Sequence, residues 1–249
     1  MQKKTLSQEN SGTNWEANLK KQERSEMIKK VALWGGVIIA CIAGLAILVQ
    51  LANKQGPTAE PVVNENLKAV STTDIILGNP EAKIVVYKYS DFQCPACATY
   101  NSIMNQLLTD YDGKVKVVYR FFPLTSIHQN AVISGQAGYA AWKLGKFKEM
   151  KDLLFEKQKD WESLKDPREV FISYAEIAGM DPLEFEKIMN SPEAKKAVED
   201  GEKEAISLGL NSTPSFFVGN KQIAPNGIEG FKTLIDAQLK GEEIQKPLQ

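Results

Sequence analysis

Asp91-Phe92-Gln93-Cys94-Pro95-Ala96-Cys97-Ala98-Thr99-Tyr100 is the stretch around which the rest of the chain arranges itself. A run of β-formers, Ile84 to Tyr89, leads into it, and a predicted helix from Pro95 to Leu108 leads away. Proline suits the first turn of a helix, where its missing N–H would have had no partner. Cys94 then falls at the N-cap, its sulfur facing free N–H groups and the positive end of the helix dipole, which favours thiolate over thiol. Cys97 comes one turn later on the same face, within reach of Cys94 for a disulfide. The pair reads as a reversible redox couple.

Two other readings compete. A C-x-x-C can be half of a zinc site, but zinc takes about four ligands, and only Cys41 and His128 remain. An inert structural disulfide is the second alternative, yet so small a loop removes little unfolded-state entropy. The position at a strand-to-helix junction favours the redox reading. No metal and no cofactor are expected.

With 249 residues and a formal net charge of −1, nothing in the composition points to nucleic acid or to a strongly acidic substrate. Three cysteines are too few for a disulfide-scaffolded module, so the fold must rest on an ordinary core. Residues 1–30 read as a polar cytoplasmic tail, with Lys20, Lys21, Arg24, Lys29 and Lys30 gathered toward its C-terminal end. Residues 31–52 hold one plainly polar side chain, Gln50. As a helix they would span about 33 Å, enough for a hydrocarbon core of about 30 Å. The basic residues on the N-terminal side predict a single-pass anchor, N-terminus cytoplasmic and the remainder extracytoplasmic. Ile38-Ile39-Ala40-Cys41 also resembles a bacterial lipobox, but the chain stays apolar through Leu51, so the uncleaved anchor is favoured. Residues 53–70, with Gly56, Pro57 and Pro61, read as a linker, 71–241 as the exported domain, and 242–249 as a C-terminal tail.

Within that domain, Asp74–Gly78 is predicted as a short strand, Ile84–Tyr89 as a buried one, and Lys114–Phe122 as its neighbour. The cysteines then stand at the carboxyl end of the first strand of a β-α-β unit, where open α/β sheets place functional groups. From about 129 to 209 the pattern turns helical. Small residues such as Gly135 and Gly138, and larger ones such as Phe147, Met150 and Leu154, recur at helical spacing. Asp166-Pro167, Asp181-Pro182 and Ser191-Pro192 each read as an N-cap followed by proline at the first helical position. Four or five inserted helices are expected. The sheet resumes at Ser215–Val218, turns at Gly219-Asn220, returns along Lys221–Ala224, and Gly227–Leu239 closes the domain as a helix. Thr213-Pro214 stands before the returning strand. A proline there can simply end a loop; paired with the upstream cysteines it becomes a candidate cis-proline facing them.

Together, the Asp91–Cys97 stretch, Phe122-Pro123-Leu124 with His128 and Ala131, the helical insertion, and Thr213-Pro214-Ser215-Phe216-Phe217-Val218 resemble the DsbA-like thioredoxin-fold thiol–disulfide oxidoreductases, most closely their membrane-anchored branch. The resemblance covers roughly 74–239. It implies an α/β thioredoxin fold with an inserted helical domain. It also implies Cys94 as the exposed reactive cysteine, Cys97 as its resolving partner, and Pro214 as the cis-proline, with Thr213 offering backbone to an extended client. Pro95, Ala96 and Lys88 would tune the site. Many relatives carry a buried carboxylate six residues before the first cysteine, where this chain has Lys88. If Lys88 points under the cysteines, its ammonium favours thiolate and burial lowers its own pKa; if it points outward, it is a solvated lysine. Asp91 is read as a loop cap, and His128 as a capping or packing residue.

The resulting expectation is a membrane-tethered oxidase that introduces disulfides into exported, partly folded proteins. It would be recharged by a quinone-coupled membrane partner of the DsbB or VKOR kind. Reduction or isomerisation by the same site is the alternative, compatible with Thr213 and with an Ala96 that offers no side-chain hydrogen bond. A non-catalytic client-holding module is the third.

Overall fold

The computed structural model describes residues 24, 27, 33–36, 41–45 and 62–241. The chain forms two compact units, Met1–Thr58 and Ala59–Gln249. In the first, 33–36 and 41–45 are helical. Among the described residues no helix is long and apolar enough to cross a membrane. The anchor expected over 31–52 lies for its greater part outside the described residues, as do most of the 1–30 tail and all of 242–249.

The second unit is built on a six-stranded sheet. Its strands are β1 (Val62–Val63), β2 (Ile75–Gly78), β3 (Ile84–Ser90), β4 (Val115–Phe121), β5 (Ser215–Val218) and β6 (Lys221–Ile223), in the order β1-β6-β5-β3-β4-β2. β3 pairs parallel with β4 and antiparallel with β5, so its backbone is satisfied on both edges. That central place suits its near-continuous run of apolar and aromatic side chains. The parallel β3–β4 pair requires a crossover, supplied by helix α1 (Pro95–Asp110). β5 turns into β6 at Gly219, whose φ of +60° suits glycine.

Period-2 alternation sorts β3 between two layers. Ile84 and Val86 pack with Met104 and Leu107 of α1, and with Phe231 and Ile235 of the closing helix. Tyr87 and Tyr89 pack on the opposite side with Ala205, Leu208 and Phe217. Between β4 and β5 the chain runs through α2 (Ala131–Lys143), α3 (Phe147–Glu156), the single turn α4 (Gln158–Trp161), α5 (Arg168–Ile177), α6 (Pro182–Met189) and α7 (Pro192–Ser207). The closing helix is α8 (Gly227–Leu239). The inserted helices share an apolar core that includes Met150, Leu154, Trp161, Phe171 and Phe185 and reaches Phe92 and Cys97.

Several expectations shift. The insertion holds six helical segments rather than four or five, the extra one being the short α4. Asp181 and Ser191 cap α6 and α7, accepting from Glu184 N and Ala194 N. Asp166-Pro167 is one residue out: α5 begins at Arg168 with Pro167 as its N-cap, and Asp166 Oδ1 accepts from Arg168 N instead. The stretch 53–70, expected as linker, carries structure from Val62 onward. β1 pairs with β6, and Asn64 Nδ2 donates to Leu208 O at 3.2 Å. Leu67 and Val70 pack against the Tyr87/Tyr89 layer.

Candidate active site

β3 ends at Ser90, and four residues later Cys94 is the N-cap of α1, in an extended backbone (φ −76°, ψ 121°), with Pro95 in the first helical turn. Pro95 and Ala96 are exposed. Cys94 is not exposed as the resemblance implied: it is buried at 6% exposure, packed under the loop before β5, although more open than Cys97 at 0%. Opposite them runs the loop before β5. Its Thr213–Pro214 peptide is cis, and the Cys94 thiol donates to Thr213 O at 3.3 Å. Cys94, Cys97, Thr213 and Pro214, far apart in the chain, thus share one place.

The two thiols, both free, have opposite acidities. The Cys94 thiol is drawn down from 9.0 to about 5. The largest cause is a hydrogen bond from the Cys97 thiol; burial works against it, and Thr213 with the N–H groups of Cys97 and Ala96 add smaller help. The helix N-terminus therefore contributes, but the neighbouring sulfur contributes more than the sequence argument from the dipole implied. Burial first, and then the same hydrogen bond, push Cys97 well above the ordinary thiol range. One sulfur ionises and the other holds its proton: such a pair exchanges readily through the outer member.

Lys88 lies on the face of β3 that also carries Val86, and it points inward at 1% exposure. The outward alternative is thereby removed. Its Nζ donates to Cys97 O at 3.5 Å and stands 5.0 Å from the centre of the Phe155 ring and 5.7 Å from that of Tyr119. Burial lowers its pKa to about 8, Cys97 being the strongest charge in its favour. The neighbouring hydroxyls of Ser90 and Tyr119 are buried without a hydrogen-bond partner. Yet Ser90 is near enough to favour the ionised forms of both Cys97 and Tyr119.

The loop beneath Cys94 is held by polar anchors. Asp91, 2% exposed, accepts from Gln93 N at 2.8 Å through Oδ1, and from Leu124 N at 2.9 Å through Oδ2. The same Oδ2 pairs with His128 Nδ1 at 2.7 Å. Gln93 Nε2 donates to Glu162 O and Gln93 Oε1 accepts from Asn130 N, both at 2.7 Å. Gln158 Nε2 donates to Phe92 O at 2.7 Å. The insertion thus grips the loop at Phe92 and Gln93, directly after Asp91. Ser90, Gln93, Tyr119 and Phe155 were not singled out in the sequence. The signal for Ser90 and Tyr119 is the alternation of β3 and its register with β4, in which Lys88 faces Tyr119; Phe155 arrives from the insertion and leaves no local signal. Among the described residues no group of His, Cys, Asp and Glu is arranged to hold a metal ion.

The thioredoxin family model matches residues 70–237. The Na(+)/H(+) antiporter NhaA 1 of Mycobacterium sp. (strain KMS) is 31% identical over 193 residues, which is 75% of this chain. The chain spans only 30% of the length of that relative. The probable disulfide bond formation protein D of Bacillus cereus is 25% identical over 214 residues, covering 81% of this chain and 96% of that one. The crystal structure of oxidised BdbD from Bacillus subtilis superposes with a TM-score of 0.60 at 22% identity, over 74% of this chain and 97% of its own. That likeness is one of fold.

Proposed function

Because the chain belongs to the thioredoxin family, we propose that it is a thiol–disulfide oxidoreductase of the DsbA-like kind, working as an oxidase through Cys94 and Cys97 and inserting disulfides into exported proteins. In this cycle a client thiolate attacks Cys94 Sγ of the enzyme disulfide and Cys97 leaves. The client's second thiolate then attacks its own sulfur in the mixed disulfide and expels Cys94. Thr213, beside Cys94, offers its backbone to an extended client as an added strand, with Pro214 shaping the loop. Such pairing ignores side-chain identity, which suits many partly folded clients.

The direction rests on the surroundings of Cys94, which stands at the N-cap of α1 and beside Thr213, where the Cys97 thiol and the N–H groups of Ala96 and Cys97 favour its thiolate. With a pKa of about 5, thiolate exceeds thiol about a hundredfold at neutral pH. That makes Cys94 a good leaving group and stabilises the reduced enzyme, so electrons flow from client to enzyme. Equilibration of the full chain with glutathione tests this. A potential well above the glutathione range, toward the roughly −120 mV of DsbA, is expected; a value near the roughly −270 mV of thioredoxin would make the chain a reductase.

The apolar segment 31–52 supports a tether that keeps the domain at the outer face of the membrane. There a quinone-coupled membrane protein of the DsbB or VKOR kind would restore the disulfide. Protease protection of the tail in right-side-out vesicles, with the domain digested, is the expected topology result.

A further inference from the structure

Cys97 has no exposed surface, and its thiol holds its proton far more tightly than an ordinary cysteine. A Cys97 thiolate expelled when the disulfide opens therefore takes its proton most directly from a group packed against it, and exchange of that group with solvent follows. The polar groups facing this point come from β3 (Lys88, Ser90), α1 (Cys94), β4 (Tyr119) and α3 (Lys151, Asp152). Asp152 carries no proton to give, since Lys151 holds its carboxylate ionised in spite of burial. Lys151 is committed elsewhere: its Nζ donates to Asn105 Oδ1 at 3.1 Å, and to Asn101 and Asp152. Tyr119 is pushed well above its usual range by burial and keeps its proton. Cys94 is bonded to the client sulfur at this step and has no proton to give.

Lys88 is different. Its ammonium is buried with one long hydrogen bond, to the carbonyl of Cys97 itself, and two aromatic rings. A buried cation so poorly compensated gives up its proton readily, most of all to an anion that forms beside it. We propose that Lys88 is the proton donor and acceptor for Cys97: its ammonium protonates the Cys97 sulfur as the disulfide opens, and its amine takes the proton back when the disulfide re-forms. The hydroxyls of Ser90 and Tyr119, buried beside Cys97 without a hydrogen-bond partner, are placed to support the transfer.

The step rests on the Cys94–Cys97 redox cycle proposed for this chain, and it balances within that cycle. The client thiolate bonds to Cys94, and the Cys94–Cys97 bond breaks with its electron pair on Cys97. An N–H bond of Lys88 breaks as the S–H bond of Cys97 forms. When the second client thiolate expels Cys94 as an anion, the client has lost two electrons to the sulfur pair. Of its two protons, one is matched by the proton now on Cys97 and the other is released; Lys88 recovers its own from solvent.

The test is single-turnover reduction of the oxidised full chain by glutathione, from about pH 6 to about pH 10, with each rate divided by the glutathione thiolate present. The corrected rate should be level at low pH and fall about tenfold per unit as Lys88 loses its proton, starting below pH 8, because the value of about 8 belongs to the dithiol form, in which Cys97 and Cys94 help to hold that proton. Lys88→Met should react about tenfold or more slowly near neutral pH and lose that fall. Lys88→Arg keeps the charge but does not give up a proton, and it should behave like Lys88→Met. Wild-type rates in Lys88→Arg would reduce Lys88 to an electrostatic role and overturn the proposal, as would an unchanged profile in Lys88→Met. Either result would leave the redox cycle standing, whereas a wild-type chain inert to glutathione would overturn the cycle and the proposal together. If the variants do not fold, carbon-13 NMR of lysine in the wild-type chain decides. Lys88 should titrate well below other lysines and at different pH in the oxidised and reduced forms; an ordinary titration, alike in both, overturns the proposal.

Discussion

Asp91 and His128 meet at 2.7 Å, with the Asp91 side chain entirely enclosed. The same carboxylate accepts from Gln93 N and Leu124 N, so it ties the residue before the cysteine loop to the segment after β4. No hydrogen bond links His128 to either cysteine among the described residues, and its role is to brace Asp91. Removing the carboxylate leaves two buried N–H groups and an imidazole without their acceptor. At about 1–3 kcal/mol for each unsatisfied group, Asp91→Ala should lose about 3 kcal/mol or more of unfolding free energy. His128→Ala, which removes a single partner of Asp91 from a side chain 15% exposed, should lose about 1 kcal/mol. Urea unfolding of the oxidised forms measures both, and an Asp91→Ala chain as stable as wild type would refute the anchoring role.

Cys94 owes its acidity first to the thiol of Cys97. A hydrogen bond to a charged group contributes about 1.5–3 kcal/mol, and a pKa unit corresponds to about 1.4 kcal/mol. Cys97→Ala should therefore raise the Cys94 midpoint by about one to two units, seen in thiolate absorbance or in the pH profile of alkylation. Cys97→Ser, which keeps an O–H donor, should recover most of that difference. Equal midpoints in the two variants would shift the cause to the helix N-terminus.

The same ionisation links redox state to acid stability. The folded value of Cys94, about 5, lies below the 9.0 of a free thiol. Its stabilising contribution is thus complete above about pH 9 and is lost as pH falls through about 5. The disulfide form has no such group, groups that titrate alike in the two forms cancel in the comparison, and a Lys88→Met background removes the one buried group that senses the cysteines. The unfolding free energy of the reduced chain, less that of the oxidised chain, should fall between pH 8 and pH 5 by at most about 1.4 kcal/mol per unit, solvent screening making this an upper figure. Below pH 5 the difference should level off. A difference independent of pH over that window would mean that Cys94 titrates as an ordinary thiol.

What the sequence made legible is what depends on neighbours along the chain. The β3–α1–β4 unit, the N-cap position of Cys94, the Gly219 turn and the span of α8 all follow from local propensity, capping residues and period. The inward direction of Lys88 was also written there, since Ile84, Val86 and Lys88 alternate on one face. It could not be decided because a lysine on a buried face runs against the ordinary cost of burying charge. Tyr119 and Phe155 escaped because they reach the site through strand register and through docking of the insertion, neither of which leaves a mark in a local window. Val62 to Val70 looked like linker because a two-residue edge strand carries too little pattern to register.

Gly201 shows how closely that insertion is docked. A β-carbon on this α7 residue would lie 2.4 Å from the carbonyl oxygen of Phe121 in β4, so the helix rides on the backbone of the strand. Alanine in place of glycine would gain about 1 kcal/mol of helix propensity. Against that, the obstacle is a sheet carbonyl that cannot turn aside, and overpacking costs about 1–3 kcal/mol or more. Strain should win at Gly201. At Gly138 the β-carbon would meet the Phe92 ring at 2.6 Å, and that ring is wedged among Tyr119, Phe147 and Phe155, so a smaller net loss is expected. At Gly135 the obstacle is a methyl group of Val198 at 2.9 Å, which a rotamer change can relieve, and the two effects should nearly cancel. The order of unfolding midpoints should therefore be Gly135→Ala highest, Gly138→Ala between, and Gly201→Ala lowest. Only Gly138→Ala should also alter the reaction of Cys94 with glutathione, because Phe92 lies two residues before that sulfur, and a Gly201→Ala chain as stable as wild type would disprove the close seating of α7 on β4.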